Sequence, residues 1–265
     1  MAELPAPRVV LVTGAADGIG RATCLAFAAE GDTIVVNDLD EAATSETVEL
    51  VRAAGGKAVG IGADVGDAAQ VTAMFARASA EVGHVGIVVN NAIWYEFLDP
   101  TRQSVEGFER TFNVGVTAIF HAMQAALSGM EALGGGVIIN IASLNAYATL
   151  PQLSAYAAAK AAVVALTRGF ALQLGPRGIR VVSVSPGFTS TPAVQRYIDS
   201  LSEERRREEI GTYEDRVPLG RLVRPEEIAD ACVFLASRRA SAITGTDLLV
   251  DAGMHCLNKV FSYNP

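Results

Sequence analysis

Three side chains near the middle of the sequence could share one proton: the hydroxyl of Ser143, the phenol of Tyr156 and the ammonium of Lys160. The apolar run 135–142 predicts a buried strand, so Ser143 comes at its carboxyl end, where open α/β sheets bind their ligands. Tyr156 and Lys160 are four residues apart in the helix predicted to follow, and therefore lie on one face of it. This arrangement is typical of a site for hydride transfer.

Tyrosine is a poor base at neutral pH because the pKa of a free phenol is about 10, but a nearby cation favours the phenolate and lowers that pKa. Lys160 would supply the cation. The phenolate of Tyr156 could then take the proton of an alcohol as hydride leaves for an oxidised nicotinamide, while Ser143 hydrogen-bonds the substrate oxygen. These residues alone also allow a plainer interpretation: an alanine-rich helix that carries Tyr and Lys by chance, after a serine that ends a strand.

A glycine-rich loop near the amino end indicates a cofactor independently. It follows a predicted strand, 8–13, and leads into a predicted helix, 18–30. Gly14 permits a tight turn, Gly18 lets the backbone approach a pyrophosphate, and Gly20 allows the helix to pack closely on the strand. The spacing Gly-x-x-x-Gly-x-Gly differs from the commoner dinucleotide fingerprint.

Asp38 ends the second predicted strand, 33–38, about 20 residues beyond the loop, where a carboxylate can bind the hydroxyls of the adenosine ribose. An acidic residue there repels a 2'-phosphate. Asp17 in the loop adds a second negative charge, and no Arg or Lys comes immediately after Asp38. We therefore expect NAD rather than NADP as the cofactor. Asp38 could instead be a solvated strand end or the cap of the next helix.

Taken together, these motifs resemble the short-chain dehydrogenase/reductase family over nearly the whole chain. Thr13-Gly14-x-x-x-Gly18-Ile19-Gly20 resembles the family's cofactor loop, Asp64-Val65 its adenine contact, and Asn90-Asn91-Ala92 most of its Asn-Asn-Ala-Gly motif. Ser143 corresponds to the family's serine, and Tyr156-x-x-x-Lys160 to its Tyr-x-x-x-Lys pair. The family's Pro-Gly-x-x-x-Thr motif is matched by Pro186-Gly187-Phe188-Thr189-Ser190-Thr191. The resemblance implies an NAD-dependent oxidoreductase that moves hydride between a secondary alcohol and the nicotinamide.

The resemblance also assigns candidate site residues. The catalytic set would be Asn113, Ser143, Tyr156 and Lys160, with Asn113 holding a water that links Lys160 to bulk solvent. The candidate cofactor-binding residues are Gly14, Asp17, Gly18, Ile19, Gly20, Asp38, Asp64, Val65, Asn91, Tyr156, Lys160, Pro186, Gly187 and Thr191. Thr191 and Phe188 would border the nicotinamide. Asn113 could instead be an ordinary helix-interior amide, and Pro186-Gly187 an ordinary turn.

The chain departs from the family at one position, where Ile93 replaces the glycine of the Asn-Asn-Ala-Gly motif. A β-branched residue does not easily adopt a positive φ. The backbone at Ile93 must therefore differ from a left-handed one, or the family's glycine is not needed for its conformation. We expect the change to alter the pocket near the substrate rather than to abolish cofactor binding.

The substrate is specified least by the sequence. The candidate substrate residues are Trp94, Tyr95, Asn145, Gln152 and Phe188, and the wider set adds Glu96, Tyr147 and the segment 189–215. Aromatic rings beside amides and a carboxylate favour a polyol, a sugar or a cyclic alcohol. Trp94 and Tyr95 could instead pack under a lid and touch no substrate.

Length and patterning predict a single α/β domain over residues 1–265, a Rossmann-type doubly wound parallel sheet of about seven strands with helices on both faces. The predicted strands are 8–13, 33–38, 57–62, 86–90, 136–142, 179–184 and 246–250. The predicted helices are 18–30, 41–54, 67–82, 104–130, 154–175 and 225–237. The interval 188–220 interrupts this alternation and is interpreted as a substrate lid.

Composition excludes several other classes of protein. A net charge of -8 and a pI near 5.0 argue against nucleic acid as a partner. Three cysteines and three histidines without paired spacing predict no metal site. No apolar run approaches about 18 residues and no leader pattern is seen, so we expect no membrane partner and a cytoplasmic location.

The expected partners are a small-molecule alcohol or ketone and further copies of the chain. Small residues in the predicted helices 104–130 and 154–175 allow close helix contact, and the family resemblance implies a homotetramer, although packing within a monomer explains small residues almost as well. Two other functions stay open: a ketone reductase of a biosynthetic pathway and a non-catalytic dinucleotide sensor. An intact set of Asn113, Ser143, Tyr156 and Lys160 counts against the sensor.

Overall fold

The computed structural model describes residues 7–207 and 217–256. The strands within these ranges are β1 (Val9–Thr13), β2 (Thr33–Asp38), β3 (Lys57–Gly62), β4 (Ile87–Asn90), β5 (Gly136–Ile141), β6 (Ile179–Pro186) and β7 (Asp247–Val250). They form one sheet in the order β3-β2-β1-β4-β5-β6-β7, and every neighbouring pair is parallel. The predicted doubly wound sheet is thus confirmed.

The α-helices of the described residues are α1 (Gly18–Ala29), α2 (Glu41–Ala53), α3 (Ala68–Val82), α4 (Val105–Phe112), α5 (Ala118–Ala132), α6 (Ser154–Leu174), α7 (Pro192–Ser200), α8 (Glu203–Arg206) and α9 (Pro225–Ala236). The helix predicted over 104–130 is divided into α4 and α5 by a π-helical turn, Asn113–Thr117. Within the predicted lid, 188–220, the structure contains α7 and α8. Residues 208–216 of that interval lie outside the described residues.

The sheet is buried on both faces because its strands are apolar at successive positions. In β1, Val10 and Val12 face one core cluster, which includes Phe27 of α1 and Leu235 of α9. Leu11 faces the opposite cluster, to which α3, α5 and α6 contribute. Strand residues alternate between the two faces, so each face receives its own set of helices.

Helix α6 is the one segment of the described residues whose length and composition would allow it to cross a membrane. It extends with a short 3₁₀ turn over Ser154–Arg177, and an apolar stretch of this length was not expected from the sequence. Val163 is fully buried and Phe170 is nearly so. We therefore describe α6 as a core helix of the domain.

The strand order reverses between β1 and β4, which are neighbours in the sheet although two strands separate them in the chain. In open α/β sheets the crevice at such a reversal, outside the carboxyl ends of the strands, is where ligands bind. Thr13 ends β1 and Asn90 ends β4 at this edge. The fold thus brings the glycine loop and the Asn-Asn-Ala segment together.

Candidate active site

The glycine loop joins β1 to α1 as a cradle that has no room for side chains. Gly14 has a φ of +62°, in the left-handed region that favours glycine. A β-carbon added to Gly20 would overlap the carbonyl oxygen of Gly14 and would lie 2.8 Å from Cα of Ala15. The helix therefore starts directly against the strand, with its amino end at the loop, as phosphate binding requires.

Asn91 fixes this loop to the end of β4. Its Nδ2 donates to the carbonyl oxygens of Gly14 at 2.8 Å and Thr13 at 3.1 Å. The Thr13 hydroxyl accepts the backbone N–H groups of Asn91 and Ala92, each at 3.1 Å. The sequence matched Thr13 to the family's loop but assigned no role to its side chain. A hydroxyl at the end of a predicted strand was the signal that could have indicated one.

Asp38 ends β2 beside the loop. Its Oδ2 accepts the backbone N–H of Ala16 at 3.1 Å, and its Oδ1 accepts that of Leu39 at 2.7 Å. Helix α2 is capped by Asp40, which accepts from Ala43, so Asp38 does not serve as the helix cap. Arg21, the cation next to the loop, forms an ion pair with Glu46 at 2.8 Å.

The remaining cofactor candidates of this half of the chain differ in burial. Asp17 is exposed at the N-cap of α1 and makes no capping hydrogen bond from its side chain. Ile19 is partly buried and packs against the core. Val65 is buried in the core, while Asp64 is half-buried and its Oδ1 accepts the N–H of Gly66 at 2.8 Å.

Ser143 is buried at the end of β5 and is the N-cap of a short 3₁₀ helix, Leu144–Ala146. Its Oγ accepts two donors from Asn145, the backbone N–H at 3.1 Å and Nδ2 at 3.3 Å. With both acceptor positions of the oxygen used, the hydroxyl proton remains available for donation. Asn145 therefore supports Ser143.

Tyr156 and Lys160 lie on α6 as predicted, but their charges differ from the prediction. Burial raises the pKa of Tyr156 to about 12, against the lowering effect of a hydrogen bond with Ser143. Burial lowers the pKa of Lys160 to about 7. Lys160 Nζ lies 5.6 Å from the centroid of the Tyr156 ring and donates to the carbonyl oxygen of Ile141 at 2.6 Å.

The pKa of Tyr156 is therefore raised by burial and not lowered by Lys160 as expected. Desolvation is the larger effect, because both groups lie where the charged form loses its hydration. The role of Ile141 as the acceptor for Lys160 was not predicted, because a backbone carbonyl is present at every residue and gives no signal in the sequence.

Asn113 begins the π-helical turn, and its backbone carbonyl accepts the N–H of Ala118, the fifth residue on. Its exposed side chain donates from Nδ2 to the carbonyl oxygen of Gly66 at 3.0 Å. π-Helical turns inside α-helices occur often at functional sites. Asn113 thus lies in an irregular turn of the helix and is not an ordinary helix-interior amide.

The Pro-Gly-x-x-x-Thr segment borders the same crevice. Pro186 is buried at the end of β6, and a β-carbon on Gly187 would lie 2.7 Å from Cα of Asp251. Thr191 caps α7, and its Cγ2 would lie 3.3 Å from a β-carbon on Gly18. The start of α7 therefore lies against the glycine loop, and Phe188 is held by its carbonyl, which accepts from Val223.

Two of the substrate candidates lie on the segment that follows Ala92. The Tyr95 ring is 4.7 Å from the Tyr156 ring, centroid to centroid, and tilted by 51°. The Trp94 ring lies 4.5 Å from Cζ of Arg110 on α4. Tyr95 thus contacts α6 and Trp94 contacts α4, so the aromatic pair packs on these two helices.

Other candidates are directed elsewhere. The Tyr147 hydroxyl donates to Oδ2 of Asp247, the first residue of β7, at 2.9 Å. The Glu96 carboxylate overlaps the place of a β-carbon on Gly107 in α4. Gln152 is partly buried, and its carbonyl oxygen accepts from Gln103 at 3.3 Å.

A buried hydrogen-bond network of two amides and a hydroxyl supports the site, and it was not predicted from the sequence. Asn90 Nδ2 donates to Asn140 Oδ1 at 2.8 Å, and Asn140 Nδ2 donates to the Thr167 hydroxyl at 3.0 Å. The network connects the ends of β4 and β5 with α6. Because buried polar groups need partners, these three residues tie the helix of Tyr156 to the sheet.

The residues at this edge fit a nicotinamide dinucleotide. The cradle at Gly14, Gly18 and Gly20 admits close approach of a phosphate, and a carboxylate at Asp38 follows at the next strand. No group of three or more His, Cys, Asp or Glu side chains that could hold a metal ion occurs in the described part of the chain.

Comparison with known proteins identifies the family and the class of reaction. Residues 14–255 match the protein family described as enoyl-(acyl carrier protein) reductase. The chain is 39% identical to cis-4-hydroxycyclohexanecarboxylate dehydrogenase of Sinomonas cyclohexanicum, covering 96% of this chain and 98% of that one. It is 35% identical to cyclohexanol dehydrogenase of an Acinetobacter species, covering 92% and 93%.

A solved structure gives the same result. The structure of 7α-hydroxysteroid dehydrogenase complexed with NADH and 7-oxo glycochenodeoxycholic acid superposes with a TM-score of 0.86 at 32% identity and covers 95% of each chain. Fold, glycine cradle and relatives together define an oxidoreductase of secondary alcohols that uses a nicotinamide dinucleotide. The chain belongs to the short-chain dehydrogenase/reductase family.

Proposed function

We propose that the protein oxidises secondary alcohols carried on a largely apolar ring, with NAD as the hydride acceptor and Tyr156 as the base. The observation that carries the proposal is the cluster of Ser143, Tyr156 and Lys160 at the carboxyl ends of the strands, with Tyr95 against Tyr156. The names of the relatives support a ring alcohol over the polyol or sugar that the sequence also allowed.

Ser143 would position the substrate. Its oxygen accepts from Asn145 twice, so its proton points away from that amide and can bond the substrate oxygen. In the free protein this hydroxyl hydrogen-bonds Tyr156, and an alcohol placed between the two groups would be held by both. The carbinol carbon is thereby oriented for transfer.

Tyr156 would remove the alcohol proton, and Lys160 would control when it does so. With a pKa of about 12 the phenol keeps its proton at neutral pH, and with a pKa of about 7 Lys160 is only partly charged. Bound NAD would supply the hydride acceptor and a positive charge. A charged ammonium on Lys160 favours the phenolate of Tyr156, because opposite charges attract. We therefore expect the phenolate to form when substrate and NAD are bound and Lys160 is charged.

Ile141 would hold Lys160 for this role. Its carbonyl oxygen accepts from Nζ at 2.6 Å, which orients the ammonium inside a buried site. Asn113, at the π-helical turn, would lead the proton from Lys160 towards solvent, because its side chain is exposed while the helix around it is interrupted. These two assignments complete the proposed proton path.

Asp38 would make the protein specific for NAD. Its carboxylate lies at the loop amide of Ala16, and the adjacent Arg21 is neutralised by Glu46. A 2'-phosphate on the ribose would meet a negative charge with no cation available from Arg21.

The proposal is tested by following NADH absorbance with purified protein and cyclohexanol, 2-propanol or sorbitol, each with NAD and with NADP. We expect turnover with NAD, fastest for cyclohexanol. Turnover with sorbitol alone would move the substrate to polyols, and NADP as the better acceptor would contradict the role of Asp38.

A reductase of acyl ketones is the second candidate, because the chain is also 33% identical, over 93% of its length, to a 3-oxoacyl-[acyl-carrier-protein] reductase of Thermotoga maritima. It differs in direction and cofactor. Faster NADPH oxidation with an acetoacetyl thioester than NAD reduction with cyclohexanol would favour it.

We also propose a homotetramer in which the exposed face of α6 forms part of the contact between subunits. Ala122 and Ala126 of α5 are buried within the chain, so they do not support this assembly. On α6, Ala161 and Ala165 are exposed. A groove of about 410 Å³ along this face is lined by apolar and small residues, namely Val116, Ala162, Ala165, Leu166, Gly169 and Phe170, with Gln173. Light scattering after gel filtration should give four times the chain mass, and a monomer alone would remove the proposal.

A further inference from the structure

Ile93 fills a space that Gly115 leaves open. A β-carbon added to Gly115, in the π-helical turn, would lie 2.6 Å from Cδ1 of Ile93 and 3.7 Å from Cβ of Ala159. The side chain of Ile93 therefore packs against this turn, which faces Ala159 of α6. Ile93 is not among the non-glycine residues of the described chain with a positive φ. A β-branched residue is accepted here because a glycine stands opposite it.

This contact fixes the start of the aromatic segment. Two residues beyond Ile93, the Tyr95 ring packs on the ring of Tyr156 at 4.7 Å. Between them, the Trp94 ring packs on Arg110 of α4, whose Cζ lies 4.5 Å from the ring centroid. Three successive side chains are thus each anchored on a different part of the site, and Tyr95 is the one that reaches Tyr156.

Tyr95 presents its other surface to solvent. The residue is 46% exposed, while burial of its hydroxyl raises its pKa. A substrate whose oxygen lies between Ser143 and Tyr156 would therefore have the Tyr95 ring as a neighbouring wall. Aromatic faces contact flat apolar rings over a larger area than they contact short chains.

We infer that Tyr95 determines specificity for ring alcohols and that Ile93 is the positioning residue that holds Tyr95 against Tyr156. The inference rests on the proposed alcohol dehydrogenase activity and names the wall that selects its substrate. It also gives the departure at Ile93 a physical role, because its side chain fills the space beside Gly115.

The first test is the ratio of kcat/KM for cyclohexanol to that for 2-propanol. Tyr95→Ala should lower this ratio about tenfold, mainly through a higher KM for cyclohexanol, because the lost wall contacts the ring. Tyr95→Phe restores the ring and should recover most of the ratio. Phe234→Ala is the matched control, since Phe234 is an exposed aromatic residue of α9 and not a candidate site residue, and it should leave the ratio unchanged. An unchanged ratio in Tyr95→Ala would overturn the inference.

The role of Ile93 is tested by a double-mutant cycle. Ile93→Ala should lower the ratio about threefold, and it should lower it no further in a protein that already carries Tyr95→Ala. Equal effects of Ile93→Ala in both backgrounds would show that it does not act through Tyr95. The dissociation constant of NAD should stay within twofold of wild type throughout, which separates positioning from general damage.

Binding without turnover separates this inference from the proposed function. Trp94 is the sole tryptophan of the chain and adjoins Tyr95, so its fluorescence reports on this segment. Cyclohexanol added to Tyr156→Phe with saturating NAD should change the Trp94 emission, and Tyr95→Ala should weaken that binding about tenfold. If cyclohexanol binding depends on Tyr95 but the wild-type protein oxidises no alcohol, only the proposed function is defeated. Oxidation of cyclohexanol with binding independent of Tyr95 would defeat only this inference.

Discussion

The ammonium nitrogen of Lys160 lies 5.6 Å from the centre of the Tyr156 ring and is bonded to a backbone carbonyl, that of Ile141, at 2.6 Å. The two groups are neighbours one helical turn apart. Burial raises the pKa of Tyr156 and lowers that of Lys160, so it favours the neutral form of each. Burial therefore disfavours the charged form of both groups, and the charge that the reaction needs has a cost in stability.

That cost predicts a pH-dependent effect of Lys160→Met on stability. The pKa of Lys160 falls from 10.5 to about 7 on folding, so between these values the unfolded chain binds more protons than the folded one. The free energy of unfolding of the wild type should thus rise with pH across this window, and the contribution is lost as pH falls through about 7.

Lys160→Met removes this contribution. Relative to Lys160→Met, the wild type should gain roughly 1–3 kcal/mol in the free energy of unfolding between pH 7 and pH 9.5, measured by urea denaturation. Tyr156 does not contribute to the window because its pKa is about 12 when folded and near 10 when unfolded. A difference between the two proteins that is constant with pH would show that Lys160 is charged in the fold.

Asp38→Asn should change cofactor choice. The amide keeps the size of the side chain but removes the charge that opposes a 2'-phosphate, so kcat/KM for NADP should rise about tenfold and that for NAD should fall by a similar factor. Asp40→Asn is the matched control, because it changes the same charge two residues away and asparagine still caps α2. A preference that shifts equally in both variants would assign the effect to general charge.

Ala252→Gly should stabilise the protein. Ala252 has a φ of +56°, the one non-glycine residue with a positive φ in the described chain. The left-handed region costs an alanine about 1–2 kcal/mol, and the extra freedom of glycine in the unfolded chain offsets part of that gain. We expect a net gain of about 0.5–1 kcal/mol in the free energy of unfolding.

An ordinary helical alanine gives the opposite sign. Ala76 is exposed in the middle of α3, and Ala76→Gly should destabilise by roughly 0.5–1 kcal/mol. Thermal unfolding of both variants is the measurement. Destabilisation by Ala252→Gly would contradict the prediction and would mean that the packing of the Ala252 methyl group against the core outweighs its backbone strain.

The sequence predicted the elements of the fold well because their signals are local. Short apolar segments that alternate with helical ones predicted all seven strands, and the loop from Gly14 to Gly20 predicted its own geometry. The π-helical turn at Asn113 was not predicted, and its residues contact Ile93 and Gly66, which are distant in the chain.

Within the site, residue types predicted which side chains meet but not their charge. Ser143, Tyr156 and Lys160 come together as the spacing indicates, whereas the direction of both pKa shifts depends on burial, which only the packed structure reveals. Tyr147 was a substrate candidate as an aromatic residue after Ser143, but its hydroxyl is bound to Asp247. The substrate wall depends on such orientations and is therefore the part that a sequence specifies least.

The central claim is that Tyr156 is the base of an alcohol oxidation, and the most direct test is the rate of NADH formation from cyclohexanol in Tyr156→Phe. Loss of the phenol hydroxyl should lower kcat at least 100-fold while the dissociation constant of NAD stays within twofold of wild type. Tyr147→Phe, which removes a phenol hydroxyl elsewhere, should keep kcat. Full activity of Tyr156→Phe would contradict the account.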